Sequence, residues 1–138
     1  MSSKNRLSLF ALVPGTRGQA LLELALILPV LLLLVFGIIE FGRVFHGYLV
    51  VTQAAREGAR VGVVGGTDEE IGTTVEQVAA SLDASRLQIN VDPPEGMRVR
   101  GESLRVEVNY SVPLVVPLIA ELAPNPFPLT AAATMRVE

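Results

Sequence analysis

One uninterrupted apolar run, LALILPVLLLLVFGII, restricts what this chain can fold into more than any other feature. Residues 24–39 carry no charge, and residues 20–22 extend the run to about 20 positions interrupted only by Glu23, which is enough to cross a hydrocarbon core. We therefore predict a membrane-spanning helix. Pro29 removes one backbone donor and predicts a kink, which neighbouring groups can compensate in a membrane.

The charges before the run predict its orientation. Lys4, Arg6 and Arg17 precede it, and the first 18 residues include no acidic residue. Because basic segments stay on the cytoplasmic side, we expect the N-terminus inside the cell and about a hundred residues outside it. This pattern is typical of a single-pass protein of the cytoplasmic (inner) membrane.

A cleaved secretory signal is the alternative explanation of a basic segment followed by an apolar run. Such signals have an apolar stretch of about 7 to 15 residues and a small-residue cleavage site after it. Here the run is longer and is followed by Glu40, Phe41, Gly42 and Arg43, whereas the small residue Gly18 precedes it. The sequence therefore disfavours a conventional cleaved signal.

Composition excludes several classes of function. The 138 residues include no cysteine, which rules out disulfides, cysteine-containing zinc sites and thiol catalysis. Histidine occurs once, at His46, and leaves little material for a metal cluster. The net charge is only -3 and the 11 basic residues are scattered, so we expect no nucleic-acid partner.

No residue pattern predicts catalysis. His46 falls on the expected helix just outside the membrane, without the pocket and partners that a catalytic triad needs. Glu69 and Glu70 suit the first turn of a helix, where the helix dipole stabilises carboxylates. The glycine-rich VVGGT at 63–67 lacks the lysine of a phosphate-binding loop. We therefore predict that the chain is not an enzyme and binds no cofactor or metal.

Beyond the apolar run, the helical pattern continues to about Val63. Apolar side chains recur at spacings of three and four, namely Phe41, Val44, Phe45, Tyr48, Val51, Ala55 and Ala59. A helix from Gln19 to Val63 would be on the order of 65 Å long. Within it, Ala54, Gly58 and Gly62 form a row of small residues that lets another backbone approach closely. The alternative is a helix that simply weakens towards its end.

A second helix is predicted after a break at Gly65 and Gly66. Thr67 and Glu70 have the spacing of a capping box, with Thr67 as the N-cap. The apolar face of this helix extends through residue 82 and comprises Ile71, Val75, Val78, Ala79 and Leu82.

Alternating apolar and polar residues predict strands in the remaining sequence. The period-two pattern occupies residues 87–91, 104–112 and 129–137, separated by a PPEG turn and by a proline-rich connection at 113–128. The predicted fold class is α+β, with a sheet of three to four mostly antiparallel strands packed on the second helix, and with the stalk helix as a further candidate surface for the sheet. Four segments are expected: a cytoplasmic basic leader (1–18), a transmembrane helix (19–40), an extended stalk helix (41–64) and an extracytoplasmic domain (65–138).

The residues around Gly18 resemble the processing site of type IV prepilins. A basic leader ends in Gly18, Gln19 follows, and Glu23 is the fifth residue after the glycine. The longer stretch 17–60, with its RGQA, LP, IIEFGR and AAREGAR motifs, resembles the TadE-like minor pilin family of tight-adherence (Flp) pili. Leu24 stands where the major Flp pilins usually carry tyrosine, which favours a minor pilin or pseudopilin.

The resemblance implies that a prepilin peptidase cuts after Gly18, so that Gln19 becomes the first residue. The implied partners are this peptidase, other pilin or TadE-like subunits, the inner-membrane pilus assembly platform and the lipid bilayer. The implied role is assembly of a pilus or of related secretion machinery. The alternative is an uncleaved, single-pass membrane-anchored binding protein with an outer α+β domain.

Glu23 is the one charge within the apolar run at 20–39 and needs a counter-charge. An acidic residue at the centre of a membrane helix costs about 2.5 to 3.5 kcal/mol. After cleavage, the α-amino group of Gln19 would lie one helical turn away and could pair with Glu23 of the same or an adjacent subunit, which would set the register of assembly. Alternatively, Glu23 merely points into the head groups at the end of the span.

Overall fold

A computed structural model describes residues 16–138, with side chains described from Gly18 onward. The predicted leader at 1–18 therefore lies almost entirely outside the described residues. The elements in chain order are α1 (Thr16–Val63), α2 (Asp68–Val78), a 3-10 turn (Ala84–Arg86), β1 (Leu87–Asp92), β2 (Ser103–Val112), α3 (Pro117–Leu122) and β3 (Phe127–Arg136). The α+β class is confirmed.

Two compact units divide within α1, between Val35 and Phe36. In the first unit, every side chain from Gly18 to Val35 is exposed. The helix is continuous through Pro29. This unit has no core of its own in the part that the structure describes, so its apolar side chains need an apolar solvent.

The part of α1 in the second unit, from Phe36 to Val63, is called its outer half below. The core of this unit lies between the outer half of α1, α2 and one face of an antiparallel sheet with the order β1-β2-β3. The alternation predicted for the central strand is confirmed, because Leu104, Val106 and Val108 are all fully buried. Val106 lies opposite Val91 of β1 and Ala133 of β3, so all three strands contribute to the same face.

The turn between α1 and α2 follows the sequence prediction closely. Gly65 has a φ of 93°, a conformation that suits glycine after a helix end. The capping box is confirmed, because the Glu70 N–H donates to Thr67 Oγ1 at 3.1 Å and the Thr67 N–H donates to Glu70 Oε2 at 2.9 Å. The helix ends at Val78, earlier than the predicted residue 82, because the chain then tightens into a turn.

A short helix, α3, interrupts the proline-rich segment that the sequence predicted only as a connection. Pro117 occupies the first turn, where its fixed φ suits a helix and its missing N–H leaves no bond unmade. Asn125 closes the base of this excursion, since it accepts a hydrogen bond from the Leu114 N–H at 3.1 Å and donates one to the Leu114 carbonyl at 3.4 Å.

Candidate functional site

The predicted processing position lies in the first described turns of α1. Gly18 and Gln19 are both exposed, and no other described segment comes within 4 Å of where a Cβ on Gly18 would stand. The peptide bond after Gly18 is therefore sterically open in the described part of the chain.

Glu23 and Gln19 share one face of α1. The Gln19 side-chain amide donates a hydrogen bond from Nε2 to Glu23 Oε1 at 3.2 Å. Residues four apart on a helix are neighbours, so an α-amino group at position 19 would also lie one turn from this carboxylate. The geometry that the predicted counter-charge requires is thus available within one chain.

The apolar run that follows is exposed around its whole circumference. Its large side chains range from 40% exposure at Leu33 to 70% at Leu26. The helix contains a segment long and apolar enough to cross a membrane, and none of it is buried inside the protein. A helical segment with exposed apolar side chains on every side matches a single-pass membrane anchor.

The row of small residues packs against this chain's own domain. Ala54 is fully buried, and Gly58 and Gly62 lie under α2 and β2. A Cβ on Gly58 would come within 2.7 Å of Val75 Cγ2, and one on Gly62 within 2.8 Å of Ile71 Cδ1. The close approach therefore occurs, but the neighbour is the folded outer domain, so a second subunit cannot reach this row while the domain is folded.

A different face of α1 remains free beyond the apolar run. Phe41, Phe45, Tyr48 and Leu49 project from this face, and each is 47% to 69% exposed. The rings of Phe41 and Phe45 stack at 6.1 Å between centroids. This set, called the aromatic stripe below, is the apolar surface of the outer half of α1 that another helix can contact.

Glu40 marks the end of the apolar run and is the most deeply buried ionisable side chain that the structure describes, at 3% exposure. Its Oε1 accepts hydrogen bonds from Arg43 Nη1 at 2.9 Å and from the Val115 N–H at 3.3 Å. Arg43 Nη2 also donates to the Pro113 carbonyl at 3.4 Å. The pair therefore ties the segment before α3 to α1.

Sequence reasoning did not single out Glu40, although a signal was present. A carboxylate directly ends the apolar run, and an arginine follows at the i+3 spacing that allows a helical ion pair. What the sequence lacked was the remote partner, because Val115 is far away along the chain. Burying a charge is costly unless such partners satisfy it.

An apolar groove lies between α3 and α1, next to this ion pair. Its volume is about 240 Å³, and apart from Glu40 its lining is apolar, including Phe41, Val44, Ile119 and Phe127. The groove thus begins where the apolar run of α1 ends.

The single histidine has no catalytic surroundings. His46 is exposed, and its Nε2 lies 3.4 Å from Ser81 Oγ. In the same cleft, the Ser85 hydroxyl and backbone N–H donate to Asp83 and lower the pKa of its carboxyl, with a further contribution from Arg86. Asp83 therefore caps the 3-10 turn as a carboxylate. No group of three potential metal ligands occurs in the described part of the chain.

A family model described as "TadE-like protein" matches residues 18–60. The match covers the predicted processing position, the apolar run and most of the rest of α1, and it confirms the resemblance to the TadE-like family. Comparisons with curated proteins and with solved structures gave no match. The chain therefore contains a TadE-like segment at residues 18–60.

Proposed function

We propose that this chain is a TadE-like minor pilin or pseudopilin that takes part in assembly of a tight-adherence (Flp) pilus or related secretion machinery. It inserts with its N-terminus in the cytoplasm, a prepilin peptidase removes the leader after Gly18, and the outer domain faces away from the cytoplasm. Its partners are the peptidase, other pilin or TadE-like subunits and the inner-membrane assembly platform.

The family match carries this proposal. The matched segment begins at Gly18, the same residue at which the leader is predicted to end. Five residues after Gly18 the chain has an exposed glutamate, and the apolar run that follows has exposed side chains through Phe36. An ordinary membrane anchor requires only the apolar run, whereas a prepilin also requires the glycine and the glutamate.

Glu23 is the residue that we assign to assembly register. Its carboxylate is exposed and has only the neutral Gln19 amide as a polar neighbour on its face, so a bilayer would leave the charge uncompensated unless a cation pairs with it. Cleavage after Gly18 creates a cation four residues away. The new charge can neutralise Glu23 within one subunit, or between two subunits whose helices are in the same axial register.

The aromatic stripe is the surface that we assign to lateral contact between helices. The small-residue row is covered by the outer domain, whereas Phe41 and Phe45 are 69% and 49% exposed. Side chains at positions 41, 45, 48 and 49 follow the helical repeat and lie along one side of α1. They provide a continuous apolar surface just outside the membrane.

Mass spectrometry of the protein purified from membranes of its native host tests the processing step. We expect a mature chain that starts at Gln19, and we expect the leader to remain attached in Gly18→Leu. Gly42→Leu is the matched control, because no other described segment lies within 4 Å of its Cβ position and it lies outside the processing site. A wild-type chain that still begins at Met1 would instead support the uncleaved anchored binding protein.

Replacing Glu23 tests the assembly step separately. We expect Glu23→Leu to reduce the number of pili per cell while the amount of membrane-inserted, processed subunit stays constant. Glu76→Gln, which changes an exposed carboxylate on α2, is the control and should leave pilus number unchanged. An unaltered pilus count in Glu23→Leu would remove the register role from Glu23.

A further inference from the structure

We propose that α3 forms a second membrane contact, in which three side chains enter the outer leaflet beside the point where α1 leaves it. These side chains, Val115 just before α3 and Leu118 and Leu122 within it, are called the apolar edge of α3 below. The proposal rests on membrane insertion of α1, which is part of the proposed function. It assigns to the outer domain a lipid contact that the pilin role itself does not require.

The structure fixes α3 to the end of the apolar run. Ile119 Cδ1 lies 3.9 Å from the Cβ position of Gly37, which is in the last turn of that run. The Val115 N–H donates to Glu40, and Asn125 closes the base of the excursion through both backbone groups of Leu114. Because these bonds hold both ends of α3, the position of the helix beside Gly37 is well defined.

The apolar edge of α3 faces away from the protein. Val115 is 67% exposed, Leu118 48% and Leu122 82%. Leu118 and Leu122 are one turn apart on α3 and Val115 precedes the helix, whereas Ile119 and Ala123 line the groove against α1. Scattered single apolar residues on a surface are ordinary, but three large exposed ones within eight residues, two of them one turn apart on a short helix, indicate a contact surface.

The position along α1 identifies lipid as the occupant. Residues 36–39 are the last turn of the apolar run, and Phe36, Ile38 and Ile39 there are 46% to 64% exposed. If α1 spans a bilayer, this turn reaches the outer leaflet, and α3 beside it lies at the boundary between acyl chains and head groups. Short apolar helix faces enter the bilayer at that depth.

The groove between α3 and α1 extends the same surface. Its lining is apolar except for Glu40, which Arg43 and the Val115 N–H already satisfy. An acyl chain end can therefore lie against Phe41 and Ile119 without leaving a polar group unpaired.

The charges near α3 provide no net attraction to lipid head groups, so the proposed contact depends on apolar side chains. Arg43 is already paired with Glu40, and α3 itself carries one exposed carboxylate, Glu121. These groups provide no excess of positive charge for anionic lipid. We therefore expect α3 to bind zwitterionic and anionic membranes equally, and with little dependence on salt.

A second protein chain explains the apolar edge of α3 less well. A stable protein interface buries about 800 Å² on each partner, which three side chains on a six-residue helix cannot supply. A membrane contact has no such requirement, because α1 already holds the domain at the bilayer and α3 needs to add only a local contact.

The absence of cysteine allows a direct test with the full-length chain. Leu122→Cys is labelled with an environment-sensitive fluorophore in vesicles of phosphatidylethanolamine and phosphatidylglycerol, and quenching by spin labels on the lipid acyl chains is measured. Leu33→Cys, within the apolar run, reports insertion of α1. Met97→Cys is the water control, since Met97 is 70% exposed and its neighbour Arg98 binds the Gly66 carbonyl, beyond the far end of α1.

We expect lipid-borne quenching at positions 33 and 122 and none at position 97, whose loop is about 40 Å from Gly37 along the helix axis. Quenching at position 33 without quenching at 122 would overturn the α3 contact and leave membrane insertion intact. A blue-shifted but unquenched label at 122 would show that protein covers α3, and would also overturn the proposal. Loss of quenching at both positions would refute insertion itself.

Discussion

The two halves of α1 differ in what surrounds them, although one unbroken helix contains both. From Gly18 to Val35 every side chain is exposed, whereas from Val51 to Val63 one face of the helix is buried under α2 and β2. The exposed half is dominated by leucine, and the buried face consists of alanine, glycine and valine. Residue size, more than hydrophobicity, therefore separates the half suited to lipid from the half suited to a protein core.

The placement of glycine in α1 reflects a balance between its cost to helix stability and the packing that it allows. A glycine inside a helix costs about 1 kcal/mol relative to alanine, and a lipid-facing helix receives nothing in return. In the outer half, Gly58 and Gly62 let Ile71 and Leu104 approach the helix backbone, and both of those side chains are fully buried. Burying such a side chain contributes about 1.5 to 3 kcal/mol, which offsets the cost.

The largest expected effect comes from placing the same charge in each half. Leu33→Arg should weaken insertion by about 3 kcal/mol, because an arginine at the centre of a membrane helix has no water around it. Leu49→Arg should have little effect, since Leu49 is beyond the span and 51% exposed. Glycosylation of engineered sites in microsomes measures the inserted fraction. Equal insertion of the two variants would contradict the assignment of position 33 to lipid and of position 49 to the region outside the membrane.

A smaller effect is expected from filling the close approach in the outer half. Gly62→Val should lower the free energy of unfolding of the outer domain by about 1 to 3 kcal/mol, because its side chain would overlap Ile71 and Leu104. Gly72→Val on α2 is the matched control, as nothing lies within 4 Å of its Cβ position. Urea unfolding in detergent, followed by circular dichroism, compares the two, and equal midpoints would mean that α2 does not cover α1.

The packing of α2 on α1 can be weakened by a substitution at the N-terminus of α2. Thr67→Ala should cost about 1 kcal/mol, because the Glu70 N–H loses the oxygen that caps α2. Thr73→Ala, at an exposed position in the middle of α2, should change the unfolding midpoint much less. If hydrogen exchange around Gly58 and Gly62 did not accelerate in Thr67→Ala, α2 would be covering α1 independently of its cap.

The smallest expected effect is a dependence on acid confined to the outer domain. Hydrogen bonds from Ser85 lower the pKa of Asp83, and hydrogen bonds from Arg105 and then Asn109 lower that of Glu107. A carboxyl group with a lowered pKa stabilises the fold above its ordinary pKa of about 4 and loses that contribution as the pH falls through the lowered value.

We therefore expect unfolding midpoints that are flat between about pH 5 and 8 and that decline below about pH 4. The double variant Asp83→Asn with Glu107→Gln should show a shallower decline than the wild type. A decline of unchanged slope would assign the acid sensitivity to other groups.

Much of the fold could be predicted because it depends on local spacing. The capping box at Thr67 and Glu70 involves residues three apart, and its two hydrogen bonds formed as expected. The alternation through β2 placed Leu104, Val106 and Val108 on one face, and all three are buried. The apolar run could be recognised from its length and its lack of charge alone.

The features that escaped prediction depend on contacts between distant residues. The spacing of Ala54, Gly58 and Gly62 predicted that something would approach closely, but not that α2 and β2 of the same chain would do so. Glu40 gave no sign of its bond to Val115. The helix α3 was hidden because Pro117 reads as a helix breaker, although a proline is favourable at a first helical position.

The covered glycine row also implies an order of events during biogenesis. Before α2 and the sheet pack on α1, the backbone at Gly58 and Gly62 is accessible, and the helix of another protein could pack against it. Once the domain has folded, α2 and β2 cover Gly58 and Gly62. In the proposed pilin subunit, folding of the domain would therefore prevent the helix of another subunit from packing on this row.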